Sequence, residues 1–259
     1  MLNMNIDQTK HHHNRLNDYT SVLGVGIEFA FQPIVDLHQT RIIGYEALVR
    51  GRDGESASNI IDGVRPENLA YFDQACRNRA IQDASKVGIT NYLFLNCTQI
   101  TPERLDLALS ATSAQCDEWG ISPRRITLEF SNLQRLGSPR ELAAVRQQAN
   151  ACGFRILSDN FGKSEAGLKR LAVFRPELLK LDRELIDRVA SSQRRKSIVL
   201  GVAATCRALD IDVIATGVER AEDINWLTEE AGIRYFQGYY FGRPQLGSAS
   251  QVEVSAMEV

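Results

Sequence analysis

The sequence predicts an α/β fold in which an opening hairpin is followed by repeated strand–helix units. Short runs of β-branched and aromatic residues alternate with amphipathic stretches from Phe29 onward, which is the pattern of βα units. The first two runs are joined by the short polar connection Leu37–Arg41, which favours a hairpin because a parallel pair needs a long crossover. The later units predict either a parallel barrel or an open sheet.

Length and composition agree with one globular domain of this class. The chain has 259 residues, of which 44% are hydrophobic and 24% are charged, and α/β barrels of this size form single domains. The formal net charge is −2, so no whole-domain attraction to nucleic acid or an anionic membrane is expected. The five cysteines are odd in number and form no CxxC pair, which argues against a disulfide framework and a structural zinc site.

Eight strands follow one another in the predicted fold, with helices between them. The strands are Phe29–Asp36, Ile42–Arg50, Tyr92–Asn96, Ile126–Phe130, Arg155–Ser158, Leu178–Leu181, Val213–Ala215 and Tyr235–Gln237. Apolar residues at helical spacing predict helices over Asn68–Lys86, Arg140–Ala151, Lys196–Leu209 and Ala221–Ala231. Element boundaries are marked by Pro102, Pro123, Pro139 and Pro176.

The two ends of the chain differ from its middle. Residues 1–26 are polar, carry His11, His12 and His13, and lack strong periodicity, so we expect a flexible N-terminal arm. The strand–helix domain is expected over 27–247 and a C-terminal tail over 248–259. Neither a signal peptide nor a long apolar span is evident in the sequence, and a cytoplasmic location is therefore expected.

Polar side chains lie late in several strands or directly after them. Glu46, Asn96, Glu129 and Asp159 offer oxygen ligands, which Mg²⁺ and Mn²⁺ prefer. If the strands form a barrel, their carboxyl ends meet on one face and these side chains converge there. Lys180 lies between leucines, a costly position unless its ammonium meets an anion. The alternative is that the carboxylates are helix caps or solvated loop residues and that the lysine reaches solvent at an edge.

Seven ordered motifs between residues 29 and 245 resemble those of the EAL family of bacterial cyclic-di-GMP phosphodiesterases. They are FQPIVDLHQTRIIGYEALVRG, LFLNCT, ITLEF, SDNFG, ELLKLD, VIATGVER and YFQGYYFGRP. The resemblance implies a modified TIM (β/α)₈ barrel whose first strand runs antiparallel to the others. It also implies binding of cyclic-di-GMP and its hydrolysis to the linear dinucleotide, with Mg²⁺ or Mn²⁺ as the cofactor.

The resemblance further implies roles for individual positions. The family's metal ligands correspond to Glu46, Asn96, Glu129 and Asp159. Its lysine that orients water and phosphate corresponds to Lys180, and its late site glutamine to Gln237. Its ligand contacts correspond to Gln32, Leu48 and Arg50, and the Arg243-Pro244 ending is expected to place Pro244 beside a guanine.

Three positions depart from the family pattern in the reaction centre. Asn160 replaces the second of two adjacent aspartates, so the second metal site is expected to be weakened. Thr216 replaces a glutamate assigned as general base or second-metal partner, and a hydroxyl has no useful basicity near neutral pH. Asn132 replaces a glutamate that anchors the following loop, and that loop is itself unusual at Lys163-Ser164-Glu165. The family uses the glutamate at Glu219, which is retained, mainly to hold a loop.

These departures favour a domain that binds cyclic-di-GMP as a sensor or effector with lost or strongly reduced hydrolysis. Two alternatives stay open. One is a protein-binding regulatory module that no longer uses the nucleotide, and the other is a weak Mg²⁺- or Mn²⁺-dependent phosphodiesterase that yields linear pGpG. The predicted helix Lys196–Leu209 supplies either a homodimer interface or an ordinary core face.

Overall fold

The computed structural model describes residues 26–131, 133, 136–163 and 168–257. Apart from Gly26, the predicted N-terminal arm with its three histidines lies outside the described residues. The same holds for Asn132, for Ser164 and Glu165 of the unusual loop, and for the last two residues of the predicted tail.

The described strands form a closed barrel, which confirms the predicted fold class. They are β1 Ile27–Asp36, β2 Arg41–Gly51, β3 Tyr92–Asn96, β4 Ile126–Phe130, β5 Arg155–Phe161, β6 Leu178–Leu181, β7 Asp212–Thr216 and β8 Tyr235–Gln237. Strands β2 to β8 pair in parallel in chain order. Strand β1 closes the barrel by pairing antiparallel with both β2 and β8. A short ninth strand, β9 Gln245–Leu246, pairs with β1 at Ala30.

Helices cover the outside of the barrel. In chain order the described ones are α1 Ala57–Asp62, α2 Leu69–Lys86, α3 Leu105–Glu118, α4 Pro139–Ala151, α5 Leu168–Phe174, α6 Arg183–Ile186, α7 Gln193–Ala208 and α8 Ala221–Glu229. Four of these, α2, α4, α7 and α8, lie where helices were predicted, whereas α1, α3, α5 and α6 were not anticipated. Single 3₁₀ turns occur at Pro66–Asn68, Pro102–Arg104, Pro123–Arg125, Val189–Ser191 and Val254–Met257.

Alternation along the strands divides the core into an inner and an outer part. Successive strand residues point to opposite faces, so every second residue enters the barrel. The inner cluster is Ile34, Phe94, Leu157, Leu178 and Ile214, each at most 1% exposed. Two larger clusters fill the space between the strands and the helices. Because the inner cluster plugs the barrel, a polar site is confined to the ends of the barrel.

Ala249 and Ser250, within the predicted tail, lie against β1. Ala249 forms a bridge with Phe31, and the buried hydroxyl of Ser250 donates to the carbonyl of Phe31 at 3.3 Å. The hydroxyl of Tyr45 donates to the carbonyl of Ser250 at 2.9 Å. Within the part of the chain that the structure describes, no helix has the length and apolar character needed to cross a bilayer.

Candidate active site at the carboxyl end of the barrel

A layer of polar side chains lies directly above the apolar plug. On each strand, the polar residue lies two positions from the inward-facing residue at the level of the inner cluster, so both side chains point into the barrel. In this way Phe94 is followed by Asn96, and Leu178 by Lys180. The complete polar layer is Gln32, Glu46, Asn96, Glu129, Asp159, Lys180, Thr216 and Gln237. The structure therefore brings together the strand-end residues that the sequence singled out.

The ammonium of Lys180 forms the centre of this layer. Its Nζ lies 2.8 Å from Oε2 of Glu46 and 2.6 Å from Oε1 of Glu129. Lys180 is 2% exposed and Glu129 is fully buried. Burial alone would lower the pKa of Lys180, but the carboxylates of Glu129 and Glu46 outweigh it and hold that pKa above its ordinary value. The alternative of a lysine that reaches solvent at an edge is therefore wrong.

The carboxyl groups around Lys180 differ in their proton affinity. Burial would raise the pKa of Glu46, but the charge of Lys180 and hydrogen bonds from Lys180, Gln237 and Asn96 hold it below its ordinary value. Burial and the nearby charge of Glu46 raise the pKa of Glu129 well above its ordinary range. Burial likewise raises the pKa of Asp159. The layer thus favours one firmly ionised glutamate beside two acids that are easier to protonate.

Amide side chains complete the coordination of Glu46. Nε2 of Gln237 donates to Oε2 of Glu46 at 2.7 Å and to Oε1 of Gln32 at 3.2 Å. Nδ2 of Asn96 donates to Oε1 of Glu46 at 3.3 Å. Gln32 in turn donates from Nε2 to the carbonyl of Gly242 at 3.1 Å. Protein donors therefore contact both oxygens of Glu46, and the network links β1, β2, β3 and β8.

The opposite side of the layer holds the residues that depart from the family pattern. Asn160 has a positive φ of 54°, and its Nδ2 donates to Oδ2 of Asp159 at 2.6 Å. The hydroxyl of Thr216 donates to the carbonyl of Leu181 at 2.6 Å. Each of these neutral side chains is thus engaged by a neighbour on its own strand or on the adjacent one.

A cavity of about 280 Å³ opens above these residues. Its lining includes the predicted site residues Gln32, Glu46, Leu48, Asp159, Asn160, Lys180, Thr216, Glu219 and Gln237. Two predicted ligand contacts, Arg50 and Pro244, are not among the lining residues. The guanidinium of Arg50 donates to the carbonyl of its neighbour Val49 at 2.8 Å. The guanidinium of Arg243 stacks on the ring of Tyr239, 4.2 Å from its centroid.

The donor set fits a divalent cation by chemistry and charge, but the side chains do not converge on one point. Glu46, Glu129 and Asp159 carry up to three negative charges against the one positive charge of Lys180. Oε2 of Glu129 is buried and has no hydrogen-bond partner among the described residues. Even so, the described ranges contain no group of three or more His, Cys, Asp or Glu side chains placed to hold a metal ion. Glu46 and Glu129 instead meet on the Lys180 ammonium.

Two contributors to the site were missed by the sequence analysis. Arg183 lines the cavity, and its guanidinium lies 2.9 Å from Oε1 of Glu219. Its position directly after β6 was the available indication. Below the cavity, the buried Asp73 of α2 pairs with Arg77 and accepts hydrogen bonds from the backbone and hydroxyl of Thr98 at 3.1 and 2.7 Å. This contact fixes the chain just after Asn96.

The site and the fold together define an EAL-type barrel. The sequence profile of the EAL domain family matches residues 21–244, and the chain belongs to that family. Among curated proteins it is similar to the blue light- and temperature-regulated antirepressor BluF of Escherichia coli, with 31% identity over 230 residues. That alignment covers 86% of this chain and 56% of BluF, so the chain spans about half the length of this relative.

Two similar solved proteins have structures with cyclic-di-GMP bound. A standalone EAL protein from Vibrio cholerae in its c-di-GMP-bound form is 33% identical with a TM-score of 0.83, and the match covers 91% of this chain and 99% of that one. BlrP1 of Klebsiella pneumoniae in a manganese and cyclic-diGMP complex is 28% identical with a TM-score of 0.79, covering 87% of this chain and 58% of that one. A second BlrP1 structure holds FMN and cyclic diGMP with no metal ions, at 25% identity and a TM-score of 0.72, covering 89% of this chain and 56% of that one.

Proposed function

We propose that this EAL domain binds cyclic-di-GMP as a sensor or effector and that its hydrolytic activity is lost or strongly reduced. The proposal rests on the side chains of Asn160 and Thr216 and on the hydrogen bonds that they make. At these positions the family pattern has acidic groups, and here an amide hydrogen-bonds to Asp159 while a hydroxyl donates to the carbonyl of Leu181. Neither group is a general base near neutral pH.

Ligand binding is supported by the side of the cavity that keeps the family residues. Gln32, Glu46 and Gln237 form one hydrogen-bonded row along the cavity wall, and Leu48 lies beside them. Two solved relatives with this fold, the Vibrio cholerae protein and BlrP1, contain cyclic-di-GMP, and one BlrP1 structure holds it without metal ions. We propose Gln32, Leu48, Arg50, Gln237 and Pro244 as ligand contacts, of which Arg50 and Pro244 are not among the residues that line the cavity.

For the metal, we propose Glu46, Asn96, Glu129 and Asp159 as holders of one Mg²⁺ or Mn²⁺ ion, with Asn160 as a weakened ligand of a second. A bound ion would supply Lewis-acid stabilisation of phosphate oxygens and lower the pKa of water. The chain itself contributes Lys180, which fixes the orientation of Glu46 and Glu129, and Glu219, which holds Arg183 at the cavity rim.

Calorimetric titration with cyclic-di-GMP, in chelator and again in Mn²⁺, tests the proposal. We expect micromolar or tighter binding that changes little between the two conditions, together with no production of linear pGpG. Efficient Mn²⁺-dependent turnover that is abolished by Glu46→Ala would refute the loss of hydrolysis. A wild-type chain that folds but shows no binding in either condition would refute the binding role.

A second candidate is a protein-binding regulatory module. Its support is the similarity to a protein named an antirepressor, because antirepression acts on another protein. This candidate predicts no nucleotide affinity and a stable complex with a regulatory protein such as a transcription regulator or a flagellar factor. A third candidate, a weak phosphodiesterase, is supported by the complete set Glu46, Glu129, Asp159 and Lys180 and by the manganese complex of BlrP1.

We also propose a cytoplasmic location and a homodimer formed through α7. The support for the dimer is the exposure of Ile198 and Leu200 on that helix, at 50% and 42%. Light scattering of the wild-type chain and of Ile198→Glu tests it, since a monomeric wild-type chain contradicts the proposal.

A further inference from the structure

The charged groups that line the cavity leave it slightly acidic. They are Glu46, Asp159, Glu219, Lys180 and Arg183. A cyclic dinucleotide carries a negative charge on each phosphodiester, so these acids repel it. Its binding therefore depends on a cation that can reach the phosphates or on a bound metal ion.

Lys180 is poorly placed to be that cation. Its side chain is 3% exposed and lies within 2.8 Å of Glu46 and 2.6 Å of Glu129. Two of the three N–H donors of its ammonium are taken by these buried carboxylates, so at most one is left for a phosphate. Lys180 is thus committed to the floor of the cavity.

Arg183 is the accessible cation of the lining. Its side chain is 58% exposed and makes one described ion pair, with Glu219 at 2.9 Å. A guanidinium has a fork of N–H donors suited to phosphate, so an ion pair through Nη2 leaves donors for a ligand oxygen. Arg183 is held at the rim by Glu219 but is not buried by it.

Gly217 permits Arg183 to lie against the neutral side of the cavity. Its φ is +72°, and a Cβ at this position would come within 2.6 Å of Cγ and 2.8 Å of Cβ of Arg183. The stem of the arginine therefore lies across the backbone next to Thr216. Because residue 216 is a threonine whose hydroxyl donates to the carbonyl of Leu181, position 216 adds no second carboxylate to that of Glu219 in competing with an anion for Arg183.

We infer that Arg183 contacts a phosphate of the bound dinucleotide, on the side of the cavity where Asn160 and Thr216 are neutral. This assignment rests on the proposed binding of cyclic-di-GMP. In this arrangement the exposed guanidinium provides positive charge without a metal ion. Binding of the dinucleotide then depends on Arg183, whereas hydrolysis depends on the metal ligands and a general base. The loss of acidic groups at Asn160 and Thr216 then favours the anionic ligand because it removes repulsion near Arg183.

Titration of cyclic-di-GMP into the full chain in chelator tests the assignment. Arg183→Gln is expected to weaken affinity about 10- to 100-fold, the range for losing a hydrogen bond to a charged group. Arg183→Lys keeps the charge but not the fork, so a smaller loss is expected. Arg220→Gln is the matched control, because Arg220 is 48% exposed and pairs with Glu222 but does not line the cavity.

The outcomes separate the assignment from the proposed function. Wild-type binding with an Arg183→Gln affinity within about twofold of it overturns the assignment alone. An equal loss in Arg220→Gln overturns it as well, because general surface charge would then explain the effect. A wild-type chain that does not bind the dinucleotide overturns both. The variants are exposed-residue changes, so equal melting temperatures verify that each remains folded.

Discussion

Replacement of Lys180 by methionine tests the electrostatic arrangement of the polar layer most directly. Methionine roughly preserves the length of the side chain and removes its charge. In the variant, the carboxylates of Glu46 and Glu129 face each other without the ammonium that lies 2.8 and 2.6 Å from them. The folded state should lose stability because buried negative charge is left uncompensated.

The magnitude follows from the burial of the group. Breaking a buried ion pair costs about 3–5 kcal/mol, which corresponds to a drop in melting temperature of about 6–20 °C for a domain of this size. The cost should depend on pH through Glu129, whose pKa is raised by burial and by Glu46. In the window above its ordinary pKa of about 4.3, the folded state holds more protons than the unfolded chain, so stability falls as pH rises. Lys180 opposes the rise in the pKa of Glu129, so its removal raises that pKa further in the folded state, and the loss in Lys180→Met should be larger at pH 8 than at pH 5.

Denaturant unfolding at both pH values, in chelator, measures this effect. Arg220→Met serves as a control because its ion pair is exposed and worth at most about 1 kcal/mol. The double variant Lys180→Met with Glu129→Gln should recover part of the lost stability, since it removes one of the uncompensated charges. A loss below about 1 kcal/mol at pH 8, or a loss that does not change with pH, would refute the reasoning.

Three further predictions concern neighbouring features. Asn160→Asp combined with Thr216→Glu should raise Mn²⁺-dependent formation of linear pGpG about 10²–10⁴-fold; an unchanged rate would show that something other than the missing acids limits turnover. Asp73→Asn should cost about 3–5 kcal/mol in denaturant unfolding because it leaves a buried arginine without its carboxylate. Asp83→Asn, which breaks a partly exposed pair of the same spacing on the same helix, should cost only about 1 kcal/mol; equal losses would contradict the argument. Gln237→Leu should lower the free energy of unfolding by about 1–3 kcal/mol and weaken cyclic-di-GMP binding, because the amide of Gln237 bridges Gln32 and Glu46. Calorimetry that shows full affinity would remove Gln237 from the site.

The strands were predictable because their chemistry is local. Runs such as Tyr92–Asn96 and Leu178–Leu181 were located to the residue, since the first apolar run ends at the polar Asn96 and the second is followed by Asp182. Helix α3 was missed for the opposite reason. Its buried face includes the polar residues Thr112 and Gln115, which interrupt the apolar spacing on which the helix prediction depends. Thr112 accepts a hydrogen bond from Gln74 of α2 at 3.2 Å, and a partner on another helix is not visible in the sequence.

The sequence predicted most of the residues that form the site, but it did not predict which partners their side chains contact. Strand parity places Asn96, Glu129 and Lys180 on the inner face, and the sequence alone indicates that parity. Rotamers and partners are set by tertiary packing. For that reason the donation of the Thr216 hydroxyl to Leu181 and the attachment of Arg50 to its neighbouring carbonyl could not be anticipated. Arg183 was overlooked because it follows a strand that already supplied Lys180.

Retention of the acidic residues does not by itself argue for turnover. Both oxygens of Glu46 are contacted by protein donors from Asn96, Gln237 and Lys180, and Oδ2 of Asp159 receives Asn160 at 2.6 Å. Carboxylates that are hydrogen-bonded in this way stabilise the folded state without a metal ion, and removing one would leave Lys180 or an amide unpaired. These acids have a structural reason to persist in a domain that only binds its ligand. The proposed loss of hydrolysis therefore rests on Asn160 and Thr216, and the double substitution at those positions tests whether the missing acids account for it.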